Sequence, residues 1–256
     1  MKVFVILFAF SLLAVQSAPV RKMSDREHAG FIGPVKSVNI EYEITDQNYG
    51  DRLAGKHCRG LTEVYNESGQ LIQRSSYPGS CGENEIRDSY SYSPEGSRIT
   101  TSREVSGKTA PPPPAPDTVP AKETFRYDDA DLPSESSLVN SNGQLITKFV
   151  YQYDSMRRLI EVRTEGASGD VFASRMYKYD GNNKVPAGSS NTDFVGLMHE
   201  TTTYSEYKFN AQGDWIKRKV KTEQTLARSQ TLVETRTIEY WAKSGFQMRR
   251  FSHRVN

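Results

Sequence analysis

Few residues of this chain are spaced for chemistry. Its four histidines are His28, His57, His199 and His253, and its two cysteines are Cys58 and Cys81. There is no His-x-x-x-His pair, G-x-S-x-G elbow or phosphate-cradling glycine loop, so zinc hydrolysis, elbow-type acyl transfer and nucleotide binding have no local signature. His57, Cys58 and Cys81 could share a metal. Adjacent side chains on an extended chain point apart, however, and no fourth ligand lies near. The two cysteines read instead as one disulfide, worth about 3 kcal/mol for a loop of this size. Asp128, Asp129 and Asp131 form the densest acidic group. They lack the alternation of a calcium loop, end at Pro133 and read as a solvated turn. No catalytic residue, metal or cofactor is expected.

Two surface features remain. Residues 214–256 carry ten Lys/Arg against four Asp/Glu, and Lys217, Lys219 and Lys221 share one face of the strand that follows Trp215. Such a face either guards a strand edge against aggregation or, with Trp215 and exposed tyrosines, attracts a sulfated glycan or other polyanion. Asn66-Glu67-Ser68 is an N-glycosylation sequon on an expected turn.

The elements that must position these residues follow from composition. Among 256 residues there are 14 Tyr, 11 Phe and 2 Trp, far too many aromatics for a disordered chain. Dropping the tyrosines from the 36% hydrophobic fraction and adding the 18 glycines leaves roughly 37%, against a usual ~45–50%, which argues against a deep aliphatic core. With 33 Lys/Arg and 31 Asp/Glu, the net charge of +2 excludes a bulk nucleic-acid binder. A sheet with one covered and one wet face suits these numbers.

Residues 1–17 read as a secretory signal: Lys2, an apolar run from Val3 to Val15, then Gln16-Ser17. That run is too short for a bilayer core of ~30 Å, which needs roughly 20 residues, and no later stretch qualifies as a span. The mature chain is therefore expected to be secreted. Residues 18–30 read as a mobile polar segment and 31–256 as one β domain. A stiff Pro-rich loop at 106–121 and a second excursion at 185–198 interrupt it.

Within that domain a turn motif recurs. It starts at Tyr65, Tyr92, Tyr127, Val139, Tyr153, Tyr179 and Phe209: an aromatic or apolar residue, then Asp, Asn or Ser, then a turn residue three further on. Asp, Asn or Ser at the entrance bonds its own backbone two residues later. The turn position holds Gly69, Gly96, Asp131, Gly143, Arg157, Asn183 and Gly213. All except Arg157 tolerate positive φ, so Arg157 predicts an irregular turn. Flanking stretches alternate: Phe149, Tyr151 and Tyr153 face one way, Val150 and Gln152 the other. A turn about every 13 residues predicts an all-β antiparallel meander, either an elongated twisted sheet or a partly closed barrel.

Phe125-Arg126-Tyr127-Asp128, Tyr151-Gln152-Tyr153-Asp154 with Arg158-Leu159, and Tyr177-Lys178-Tyr179-Asp180 resemble the YD repeat of Rhs-type and teneurin-type proteins. The resemblance spans residues 62–220 in degenerate copies. Phe31 to Val38 and Gly213 to Arg218 are similar to the opening and closing segments of small secreted proteins built from such repeats. It implies an extracellular β protein with no catalysis in the repeats and, as suggested for such repeats, carbohydrate binding. The copies are too few for the hollow shell of the large relatives. Three classes of function stay open: a non-enzymatic binder of extracellular glycans through an exposed sheet face, a structural component of an extracellular matrix, or a secreted hydrolase with an unrecognised site.

Overall fold

A computed structural model describes residues 22–45, 54–78, 81–107, 120–193, 199–225 and 229–242. The signal segment, most of the Pro-rich loop and residues 194–198 lie outside the described residues. Among the described residues the chain is all-β apart from one short helix, α1 (Asp25–His28). The strands are β1 (Val35–Ile44), β2 (His57–Tyr65), β3 (Leu71–Ser76), β4 (Asn84–Tyr92), β5 (Arg98–Gly107), β6 (Lys122–Tyr127) and β7 (Pro133–Val139). They continue with β8 (Leu145–Tyr153), β9 (Leu159–Gly166), β10 (Val171–Lys178), β11 (Gly188–Asp193), β12 (His199–Phe209), β13 (Trp215–Gln224) and β14 (Gln230–Tyr240).

Each strand pairs antiparallel with its neighbours in sequence, and β1 pairs with β14, so the meander closes into a fourteen-stranded barrel. The expected excursion at 185–198 contains β11, which joins the ladder on both sides. One seam is thin: among the described residues β5 and β6 share only the pairs Arg98↔Glu123 and Ile99↔Lys122.

The turns explain the motif. Asp154 Oδ1 accepts from the N–H groups of Met156 and Arg158, both at 2.9 Å, and Asp128, Asn140 and Asn210 grip their turns the same way. The turn residue then takes positive φ: 86° at Gly69, 58° at Asp131, 62° at Arg157 and 89° at Gly213. Arg157 thus keeps the regular geometry despite its side chain, against expectation. Its guanidinium reaches the Ala130 carbonyl of the neighbouring turn at 2.9 Å. The hairpin at Tyr179 departs instead, with positive φ at Gly181 rather than Asn183.

Strand alternation sorts the side chains. Tyr151 pairs with Val162, Phe149 with Ser136 and Asp88 with Arg103 on the inner face. Lys148 and Gln152 of β8 alternate with these and point outward, opposite Glu165 and Glu161 of β9. The outer face carries ion pairs such as Lys148–Glu165 at 2.6 Å, Lys219–Glu206 at 3.2 Å and Lys36–Glu239 at 3.7 Å.

Residues 22–34, expected in part to be mobile, dock against one mouth of the barrel. Ser24 caps α1 in a reciprocal capping box with Glu27. Arg26 and Phe31 are buried, Phe31 packing with Val35, Val38, Tyr65 and Leu71. Ile32 N–H donates to Asp214 Oδ1 at 2.8 Å, and the Pro34 carbonyl accepts from Trp241 N–H at 2.9 Å.

Cys58 and Cys81 form the expected disulfide, with Cα atoms 4.6 Å apart and a sequence separation of 23. Replacing both cysteines by serine should lower the unfolding free energy by about 3 kcal/mol in denaturant titrations and loosen β2–β4 more than β12–β14 in hydrogen exchange. For the turns, Arg157→Gly should change stability by less than about 0.5 kcal/mol, because the relief of the left-handed penalty is offset by the lost bond to Ala130 and by glycine's entropy. Gly213→Ala should lower it by about 1–2 kcal/mol in the same titrations.

Candidate functional site

The barrel interior holds a partly open cavity of about 650 Å³. Phe125, Phe149, Tyr151 and Tyr177 line its aromatic side, all from inward positions of β6, β8 and β10. The other side is charged and belongs to β3–β6. Arg74 donates through Nε and Nη2 to Glu63 Oε1 at 2.9 and 2.7 Å. Arg103 forks onto Asp88, with Nε–Oδ1 2.6 Å and Nη2–Oδ2 2.8 Å. Arg98 binds Glu123 across the thin seam, lies 3.8 Å from Asp25 and sits over the rings of Tyr90 and Phe125.

The docked segment supplies one wall of the cavity through Asp25, His28 and Ala29. Asp25 accepts from the Tyr92 hydroxyl and from Leu71 N–H. His28 meets the Tyr151 ring edge-on, centroids 5.0 Å apart, with its Nδ1 3.3 Å from the Tyr153 hydroxyl. Burial holds the His28 imidazole below its ordinary value, with Asp25 and Glu123 pulling it up and Arg98 pushing it down. Burial also pushes the Tyr151 phenol up to about 12, although Ser136 bonds it at 2.9 Å. The lumen therefore offers protonated phenols and paired guanidinium–carboxylate groups: donors and acceptors held in place beside aromatic rings.

A second inward cluster lies under β12–β14. Arg218 bonds Glu234 at 2.5 Å and stacks on Tyr204 and Trp215. Arg236 lies 3.5 Å from the Trp215 ring centre and also over Phe31. Burial and the neighbouring Arg218 lower Arg236 to about 10, and its Nε has no hydrogen-bond partner among the described residues.

These placements revise the expected surface site. Lys217, Lys219 and Lys221 do share an outward face, opposite Thr235, Val233 and Thr231. Trp215 does not join them: it is 7% exposed and turned inward. Lys219 and Lys221 are already paired with Glu206 and Glu223, and β13 lies between β12 and β14, so it is no edge to protect. The tyrosines that lead the turn motif point into the barrel rather than to an exposed sheet face. Asn66 sits on the β2–β3 turn as expected; its Oδ1 accepts from Ser68 Oγ and Gln70 N–H, and its Nδ2 donates to Gln70 Oε1.

Sequence reading missed the luminal charges. Their signal was present as alternation: Glu63, Asp88 and Glu123 each stand two residues before Tyr65, Tyr90 and Phe125, hence on the same face as an inward ring.

No family model and no curated protein matches the chain. Among solved structures, a porin-like protein from Bacteroides uniformis is similar at 11% identity and a TM-score of 0.43, over 81% of this chain and 99% of its own. A porin-like protein from Bacteroides vulgatus is similar at 12% identity and a TM-score of 0.35, over 81% and 98%. A TcdB2-TccC3-TEV structure matches at 13% identity and a TM-score of 0.17, over 71% of this chain and 12% of that one. Likenesses this distant carry no argument about function.

The docked segment should respond to pH through His28. Its folded value lies below the ordinary 6.5, so a released or unfolded His28 takes a proton first as pH falls. The contribution of neutral His28 is complete above pH ~6.5 and is lost as pH drops through the folded value. The thermal midpoint of the native protein should therefore fall more steeply below pH ~6.5 than that of His28→Gln.

Proposed function

We propose that the protein is exported and works in water as a non-catalytic binding barrel that holds a glycan fragment in its lumen. One observation carries this reading: aromatic rings and paired charges line a cavity of about 650 Å³, whereas the outer face is charged. Small-ligand sites occupy roughly 300–1,000 Å³ and combine apolar walls with a few fixed polar groups. Tyr and Phe faces suit the C–H face of a sugar ring, and the guanidiniums and carboxylates beside them suit its hydroxyls.

The outer face favours water over lipid. A barrel in a membrane presents an outward apolar band, and an outward Lys or Arg at the bilayer midplane costs about 2–4 kcal/mol. Lys148, Arg163, Glu161 and Glu165 cluster outward on β8 and β9, and Lys217, Lys219 and Lys221 on β13. The apolar leader from Val3 to Val15 supports export.

Two measurements test the reading. The mature chain should be monodisperse without detergent and should leave lipid vesicles sealed. It should also show saturable, single-site binding to a soluble oligosaccharide in calorimetry. Tyr177→Ala, which removes a cavity ring, should weaken that binding about tenfold, the scale of one well-placed aromatic contact. Detergent dependence with vesicle leakage would overturn the aqueous reading, and the absence of any oligosaccharide binding would overturn the glycan reading.

A further inference from the structure

We infer that the lumen selects an uncharged, polyhydroxylated ring ligand, a short neutral oligosaccharide, and rejects acidic sugars. This rests on the glycan-binding reading above and adds the ligand's charge class to it.

The cavity wall is balanced in charge. Its cations are Arg74, Arg98, Arg103 and Lys122; its anions are Asp25, Asp88 and Glu123, with Glu63 holding Arg74 from behind. Each guanidinium is already committed to a resident carboxylate: Arg74 to Glu63, Arg103 to Asp88, and Arg98 to Glu123 with Asp25 near. Lys122, which has no carboxylate bonded to it among the described residues, is exposed and alternates with inward Glu123. An acidic sugar held against the three guanidiniums would therefore have to displace one of these carboxylates or enter as an unpaired charge, and either route is unfavourable.

Hydroxyl groups face no such obstacle. A guanidinium carries five N–H donors, and an ionised carboxylate has about four acceptor positions. Arg74 and Arg103 each use two of their N–H groups on the carboxylates they face. What remains is a set of donors beside acceptors with no net charge, the complement of a group that both donates and accepts. The aromatic side across the cavity supplies ring faces for the same ligand, and its volume of about 650 Å³ lies within the usual range for small-ligand sites. Arg236, which makes no carboxylate ion pair among the described residues, is not part of this wall, so its positive charge is not presented to the ligand.

The test is calorimetric titration of the disulfide-intact mature protein with maltotriose, cellotriose and chitotriose against trigalacturonate, at low and high salt. To silence the outer lysines, all titrations use the Lys217→Gln, Lys219→Gln, Lys221→Gln triple variant as well as the native chain. At least one neutral trisaccharide should bind ten times or more tighter than trigalacturonate, with affinity unchanged within twofold by salt. Asp88→Asn, which leaves Arg103 unpaired, should gain trigalacturonate binding at least fivefold. Asp88→Asn with Arg103→Gln, which restores the balance, should return to the neutral preference and shows whether the site still folds. Trigalacturonate binding as tightly as the neutral sugars to the triple variant would overturn the inference while leaving the glycan reading in place. So would an Asp88→Asn protein that gains no trigalacturonate binding while the double variant binds neutral sugar. Failure of all four sugars would remove the glycan reading and the inference together.

Discussion

The Arg98–Glu123 pair is the contact on which most of this structure converges. It crosses the seam where, among the described residues, β5 and β6 share two register pairs and a Thr100 N–H to Ala121 carbonyl bond, so the side-chain interaction reinforces a short ladder. The same guanidinium faces Asp25 of the docked segment and stacks on Tyr90 and Phe125, tying α1 and three strands to one charge. Both side chains are nearly buried, at 13% and 11% exposure. A pair so placed adds little net stability over an apolar substitute, yet removing one partner costs about 3–5 kcal/mol, because the other is left buried and uncompensated. The seam, the docked segment and the cavity wall are thus coupled through one interaction.

The composition follows from the width of the ring. Barrels of about eight strands are just filled by side chains, whereas a ring of fourteen encloses more space than aliphatic residues can span. This chain fills its interior with long side chains, arginine and tyrosine, and with its own residues 22–34. The tyrosine hydroxyls also join one repeat to the next: Tyr179 donates to the carbonyl of Leu159 at 2.9 Å, and the Tyr92 hydroxyl, whose proton goes to Asp25, lies 2.9 Å from the carbonyl of Leu71. Leu71 and Leu159 hold the same position after their turns, so the motif's leading aromatic ring serves as a brace as well as a turn marker.

Much of this was legible in the sequence. Turn spacing predicted the meander, cysteine count predicted the disulfide, and strand alternation placed Phe149 and Tyr151 on a common face. Closure was not legible, because pairing β1 with β14 depends on the tilt and twist accumulated over all fourteen strands. Nor was the direction of burial: a sheet with an apolar and a wet face reads the same whether the tyrosines point to solvent or inward. Trp215 illustrates the difficulty, since it adjoins a lysine stripe in sequence yet belongs to the opposite face. Arg157 illustrates another, since a neighbouring carbonyl holds a side chain in a conformation its own preference disfavours.

Closure also orders the assembly of the molecule in time. Thirteen seams join strands adjacent in the chain and can form as local hairpins within microseconds. The β1–β14 seam brings together residues about 200 positions apart, such as Val38 and Ile238, and cannot form until the last strand exists. The chain is synthesised from its N-terminus, so the first strand made waits for the last one. During that wait β1 presents an open edge and the inner row of Val38 and Ile40. Residues 22–34 dock partly on late elements, Asp214 and Trp241 among them, so they too must wait. The interval between the first hairpin and the final seam is therefore when the chain is most exposed to pairing with another copy of itself.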